Sequence, residues 1–210
     1  KANVISIDLI HNNKTKTIND YLKIETNVSD KSSVRAAIKK IKKVYKTIDG
    51  VIYSVTAKPH DFYNQFTECS LSGWKKVLET ELDGAFNVAQ NFGKIMESQE
   101  FGNLIFISSI YGIVGNDQRI YKGSNLSEVH LKGKKKIQNI NQNQIFSHAA
   151  YPVAKGGIIS FCRYLAAYWG KNNIRVNCIS PGGIESPGEN KKFVKNYSSK
   201  VPLGRKARVE

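Results

Sequence analysis

Cysteine is scarce in this chain: Cys69, Cys162 and Cys178 are the only three, and their spacing matches no metal-ligand pattern. Cys162 and Cys178 fall within apolar patterns, so they read as reduced core thiols, as in a cytoplasmic protein. Long apolar runs are absent too. None exceeds about ten residues, half of what a membrane-crossing helix needs, and no membrane partner is expected. Acidic residues are few, 17 against 32 Lys and Arg, for a net charge of +15. The excess is spread along the chain, lysine outnumbers arginine 26 to 6, and asparagine is abundant. That pattern is compositional bias rather than a nucleic-acid footprint. No internal repeat is present, and 210 residues with 40% hydrophobic content suit one domain with a sizeable core.

What is present is an alternation of strand-like and helix-like segments, the signature of an α/β fold with a parallel sheet and crossovers. Strands are predicted near 3–8, 21–26, 50–55, 103–108 and 174–180. Helices are predicted near 31–47, 72–98 and 149–170. The first helix is opened by Ser29 or Asp30 as a cap ahead of Val34, Ala37, Ile38 and Ile41.

The chemistry sits in the run His148-Ala-Ala-Tyr-Pro-Val-Ala-Lys-Gly-Gly. On a helix, Tyr151 and Lys155 share one face, so the lysine cation favours the ionised phenol and makes Tyr151 an acid-base group. Ser109, at the end of the strand finishing in Ser108-Ser109, supplies a hydroxyl that can hold a carbonyl oxygen while Tyr151 exchanges a proton with it. Carbonyl/alcohol interconversion is the reaction implied.

Four segments in this order, Gly102-Asn-Leu-Ile-Phe-Ile-Ser-Ser, Tyr151 to Lys155, Ile174-Arg-Val-Asn and Ser180-Pro-Gly-Gly-Ile, resemble the short-chain dehydrogenase/reductase family. The resemblance covers nearly the whole chain. It implies a Rossmann-like, doubly wound parallel sheet in a single domain over 1–210, with Ser109, Tyr151 and Lys155 as the catalytic set. Lys155 would also bind the nicotinamide ribose. Pro181, Gly182 and Ile184 would line the nicotinamide pocket, and Ser186 matches a hydroxyl position that contacts the carboxamide. Asp8, at the end of the first strand, would face the adenosine ribose and repel a 2′-phosphate, favouring NAD over NADP. His11 and Lys14 lie near enough in sequence to keep NADP open. Asn27 and Val28 would flank adenine, and Ser54 and Val55 stand in the family's Asn-Asn-Ala-Gly stretch without its amides or glycine.

The chain departs from the family elsewhere. Glu81, in Glu81-Leu-Asp-Gly84, replaces an asparagine that supports a proton relay, so the relay would need Glu81 or another route. The first strand and its glycine-rich, pyrophosphate-cradling turn are lacking, since the sequence begins where the second strand is expected. It also stops at Arg205-Lys-Ala-Arg-Val-Glu210, before the expected last helix and strand. A fragment of a longer reading frame, or a decayed relative, is the expectation.

Between Ser109 and Tyr151 lie 41 residues, far more than the family usually has, with an insertion at about 116–147. It reads as a lid or specificity loop whose Lys132, Lys134, Lys135 and Lys136 would meet a phosphate or carboxylate. Together with Ser108 to Asp117, the insertion is similar to a family branch associated with flagellin and surface-glycan modification. That resemblance implies a small-molecule substrate, an anionic sugar, sugar phosphate or nucleotide sugar. The alternatives are a 3-oxoacyl-type reductase and a catalytically silent nucleotide-binding or structural relative. Association through helices 72–98 and 149–170 would give a homodimer or homotetramer.

Overall fold

The computed structural model describes residues 2–10, 21–124 and 145–209. Strands β1 (Ile5–Asp8) and β2 (Leu22–Glu25) pair in parallel with Ile7 opposite Ile24. Strands β3 (Val51–Tyr53), β4 (Gly102–Ile107) and β5 (Ile174–Ile179) form a second parallel sheet in that order. Its register sets Leu104 between Val51 and Val176, and Phe106 between Tyr53 and Cys178. Each observed strand falls within a residue or two of its expected position. His11 and Lys14, expected to bear on cofactor choice, and Lys132, Lys134, Lys135 and Lys136, expected in the lid, lie outside the described residues.

Alternation along β4 explains the layering. Leu104 and Phe106 point into a core completed by Val34, Ala37 and Ile41 of helix α1 (Lys31–Val44). The spacing of those three residues puts them on one helical stripe. Asp30 is the cap, its carboxylate accepting from the Ser32 amide at 2.8 Å. The opposite sheet face carries Ile52, 68% exposed, and Ile179, 52% exposed. Among the described residues, the helical core layer therefore covers one face of this sheet.

The helix expected over 72–98 is interrupted. It runs as α2 (Leu71–Leu78), a π-helical turn over Glu79–Asp83, and α3 (Gly84–Gln99). Tyr53 reaches across from β3 and donates its hydroxyl to the Thr80 carbonyl at 2.6 Å. A side chain that takes a carbonyl from the helical ladder is a known cause of such irregularity. Helix α4 (Ala150–Trp169) packs Ile158, Cys162, Leu165 and Trp169 into the same core. Pro152 fits in its first turn, where the missing amide has no intrahelical acceptor to lose.

One helix was not foreseen: α5 (Lys191–Ser198), capped by the Asn190 side chain, which accepts from the Lys192 and Phe193 amides. The cap and the spacing of Phe193 and Tyr197 are its signal in the sequence. The segment ending the chain is also tied down. Ala207 pairs with Ile184 in a parallel bridge, its amide donating to the Gly183 carbonyl and its carbonyl accepting from the Glu185 amide.

Candidate active site

Strands β3, β4 and β5 end on one side of their sheet, and the loops leaving those ends enclose a cavity of about 430 Å³. Ser54, Val55, Ser109, Tyr151, Lys155, Pro181, Gly182 and Ile184, all assigned from the sequence, line it together. The loop after β4 is held by backbone bonds from Ser108 to the Ile179 carbonyl and from Ile110 to the Pro181 carbonyl. Ser108 turns inward, its hydroxyl donating to the Lys155 carbonyl at 2.8 Å, which fixes this loop to α4. Ser109 caps the short helical turn Ile110–Gly112, its oxygen accepting from the Tyr111 amide at 3.2 Å. Gly112 belongs to that contact: a Cβ there would lie 2.7 Å from the Lys155 carbonyl carbon.

Lys155 is buried, and its Nζ lies 5.5 Å from the centre of the Tyr151 ring. The same ammonium donates to the Ile107 carbonyl at 3.2 Å and stands 2.9 Å from a Glu81 carboxylate oxygen. The other Glu81 oxygen accepts from the Thr56 hydroxyl at 2.6 Å. Burial pushes the Glu81 carboxyl above its ordinary value, while Lys155 and the Thr56 hydroxyl pull it back. Tyr151 packs edge-on against Phe62, centroids 6.3 Å apart.

The remaining assigned residues lie elsewhere. Asp8 is exposed at the end of β1, and Asn27 uses its side-chain oxygen to accept from the Ser29 amide. Val28 is buried in the main core and lines a smaller cavity between β1 and β3 with Ile7 and Val51. Ser186 stands outside the main cavity, its amide donating to Glu189 at 3.2 Å. The structure thus brings eight of the assigned residues together on one cavity, and sets Asp8 and Asn27, both exposed, and Val28, buried, apart from it.

Several wall residues were missed. Tyr121, inside the expected insertion, lies in an ordered turn (Gln118–Tyr121) and stacks on Phe193 of α5 at 5.7 Å. Asn196 of α5 donates to the carbonyls of Ile120 and Lys122, so the start of the insertion is part of the cavity wall. Lys206 comes in from the chain's last residues, is buried against Glu189, and lies 5.3 Å over the Phe193 ring. Its approach depends on the 184–207 bridge, a long-range pairing with no local sequence signature.

A nicotinamide cofactor fits this site at one end. The Tyr151 and Lys155 side chains, the Pro181-Gly182 backbone and the shallow wall at Gly182, where a Cβ would come within 3.0 Å of the Tyr197 hydroxyl, suit a nicotinamide riboside. Among the described residues no glycine-rich turn opens a helix to hold a pyrophosphate.

Comparison with known proteins agrees with the geometry. A family model described as enoyl-(acyl carrier protein) reductase matches residues 4–127 and 138–210. The chain therefore belongs to this family of short-chain dehydrogenase/reductases, with a Rossmann-like α/β fold. It is 27% identical over 185 residues to the 3-oxoacyl-[acyl-carrier-protein] reductase FabG of Aquifex aeolicus, covering 87% of this chain and 62% of that protein. To the FabG of Thermotoga maritima it is 26% identical, covering 88% and 63%. The chain thus spans less than two thirds of the length of these relatives. A short-chain dehydrogenase from Leptospira borgpetersenii, solved with bound NAD+, superposes with a TM-score of 0.77 at 26% identity, covering 98% of this chain and 70% of that one.

Proposed function

We propose that this chain carries the catalytic residues of an NAD(P)-dependent oxidoreductase that interconverts a carbonyl and an alcohol. The observation that carries this reading is the meeting of Ser109, Tyr151 and Lys155 on the wall of one cavity. When bound, the cofactor would supply or accept the hydride. The chain's own residues handle the oxygen. Ser109 donates a hydrogen bond to it, and Tyr151 gives the phenolic proton as the carbonyl becomes an alcohol, or takes it back in the reverse direction. Lys155 would hold the ribose hydroxyls, and its ammonium lies beside the phenol. Asp8, Asn27 and Val28 are proposed at the adenosine end, and Ser186 near the carboxamide. Exposed Asp8 favours NAD over NADP, and NADP remains within the proposal.

For the substrate, the relatives named as 3-oxoacyl-[acyl-carrier-protein] reductases support a 3-oxoacyl thioester. The sugar expected from the insertion finds no such support. Among the described residues no helix is long and apolar enough to cross a membrane. Phe86 on α3 and Tyr164 and Tyr168 on α4 are exposed, which supports self-association through these helices.

The test is NADH-dependent reduction of a short 3-oxoacyl thioester, with NADPH in parallel. Tyr151→Phe is expected to lower turnover about 10²- to 10⁴-fold with unchanged folding. Equal turnover by this variant would overturn the proposal.

A further inference from the structure

Glu81 stands where the family resemblance leads one to expect an asparagine, and its surroundings give it a role that an amide cannot fill. It is fully buried, in the π-helical turn that Tyr53 holds open at Thr80. Its two oxygens meet the Lys155 ammonium at 2.9 Å and the Thr56 hydroxyl at 2.6 Å. The cation nearest Tyr151 therefore already has a carboxyl partner at ion-pair distance, in a place where solvent screens neither group.

The other groups around this pair leave that balance in place. From β3 comes Tyr53, whose phenol is kept neutral by burial and by the carboxylates of Glu81 and Asp83. Glu79 and Asp83 share the π turn, and Glu79 is paired with Lys76. Around Tyr151 are the phenols of Tyr111 and Tyr121, both held neutral chiefly by burial. His148, just before α4, has its imidazole pushed toward the neutral form by burial. Farther along the cavity wall, Lys206 is paired with Glu189, and Lys58 is pushed toward its neutral form by burial.

We propose that Glu81 is a positioning residue of the reaction: by pairing with Lys155 it holds the ammonium and offsets its charge beside Tyr151. A glutamine or asparagine would hold the ammonium by a hydrogen bond but leave its charge uncompensated. The inference rests on the oxidoreductase reading for its meaning, but its test does not need turnover.

The Tyr151 phenol is titrated by ultraviolet difference absorbance, each protein against its own Tyr151→Phe counterpart, across the ordinary tyrosine value near 10. Glu81→Gln is expected to lower the Tyr151 midpoint by about one unit, a tenfold change in ionisation constant. Glu81→Asp, which keeps the carboxylate, should restore a value near wild type. In a Lys155→Met background, Glu81→Gln should have a far smaller effect. Glu81→Asn serves if the glutamine variant does not fold. An unchanged midpoint in the amide variants, or an equal shift without Lys155, would overturn the proposal. The predicted shift without thioester reduction would uphold the charge balance and place the failure in the substrate assignment.

Discussion

Strand trio β3-β4-β5 and strand pair β1-β2 use similarly apolar residues, yet they are built to different standards. In the trio, Leu104 and Phe106 are nearly fully buried, and backbone bonds continue past the strand ends through Ser108 and Ile110. In the pair, Ile5 and Ile7 are half-buried, and among the described residues no ladder joins β1 to β3. The pair rests on the core through side chains alone, with a small cavity beside it lined by Ile7, Val28, Val51 and Phe92. The consequence runs straight to the site. Every residue proposed to handle the reacting oxygen hangs from the trio and the helix packed on it, while Asp8 and Asn27, proposed at the adenosine end, hang from the pair. A catalytic constellation needs positions held to a fraction of an ångström, and only the trio offers that frame.

Truncation of the two sheets should expose this difference. Phe106→Ala is expected to destabilise by about 3–5 kcal/mol in urea unfolding, because it empties a fully packed site. Ile7→Ala should lose less, about 1–2 kcal/mol, since part of its surface is already in water. Equal losses would show that the pair is as firmly built as the trio. Amide exchange sharpens the same point: the β4 amides should exchange only through global opening, and those of β1 through local opening.

An intermediate effect is expected where α2 begins. Asp61 is buried and accepts from the Ser70 amide at 2.6 Å and the Ser70 hydroxyl at 2.7 Å, while the Ser70 oxygen in turn caps the helix at Gly73. Burial alone would raise its carboxyl, but the Ser70 bonds outweigh it and hold the group below its ordinary value. With a depressed folded value, the stabilisation is full above the unfolded value near 3.9 and disappears as pH falls through the folded one. Asp61→Asn should reduce stability at neutral pH by about 1–3 kcal/mol and flatten its acid-side decline. Gly73→Ala should be comparably harmful, because a Cβ would lie 2.2 Å from Asp61 Oδ1. A wild-type stability curve with no slope below about pH 4 would contradict the assignment.

The same contrast governs how much the sequence revealed. The five strands and the Ser109, Tyr151 and Lys155 set were legible because a buried parallel strand and a helical face leave short-range patterns. The π turn was not, because it depends on Tyr53 reaching Thr80 across 27 positions. Lys206 and Tyr121 were missed for a similar reason, since each enters the cavity wall through α5 or a long-range bridge. Glu81 was visible as a departure from the family, but its pairing with Lys155 required the fold.

The smallest effect belongs to Asp8. Its side chain is exposed, and its one described hydrogen bond, from the Ile10 amide, is long at 3.4 Å. Asp8→Ser should therefore change stability by no more than about 0.5 kcal/mol, the usual range for a surface position without such features. If the carboxylate repels a 2′-phosphate as proposed, the variant should narrow the preference for NADH over NADPH by about tenfold, worth roughly 1.4 kcal/mol. The two readouts separate the possibilities. A change in preference with intact stability places the adenosine end at the pair. A stability loss above about 1 kcal/mol would mean that the end of β1 is held more firmly than its exposure implies, and the division between the two sheets would have to be redrawn.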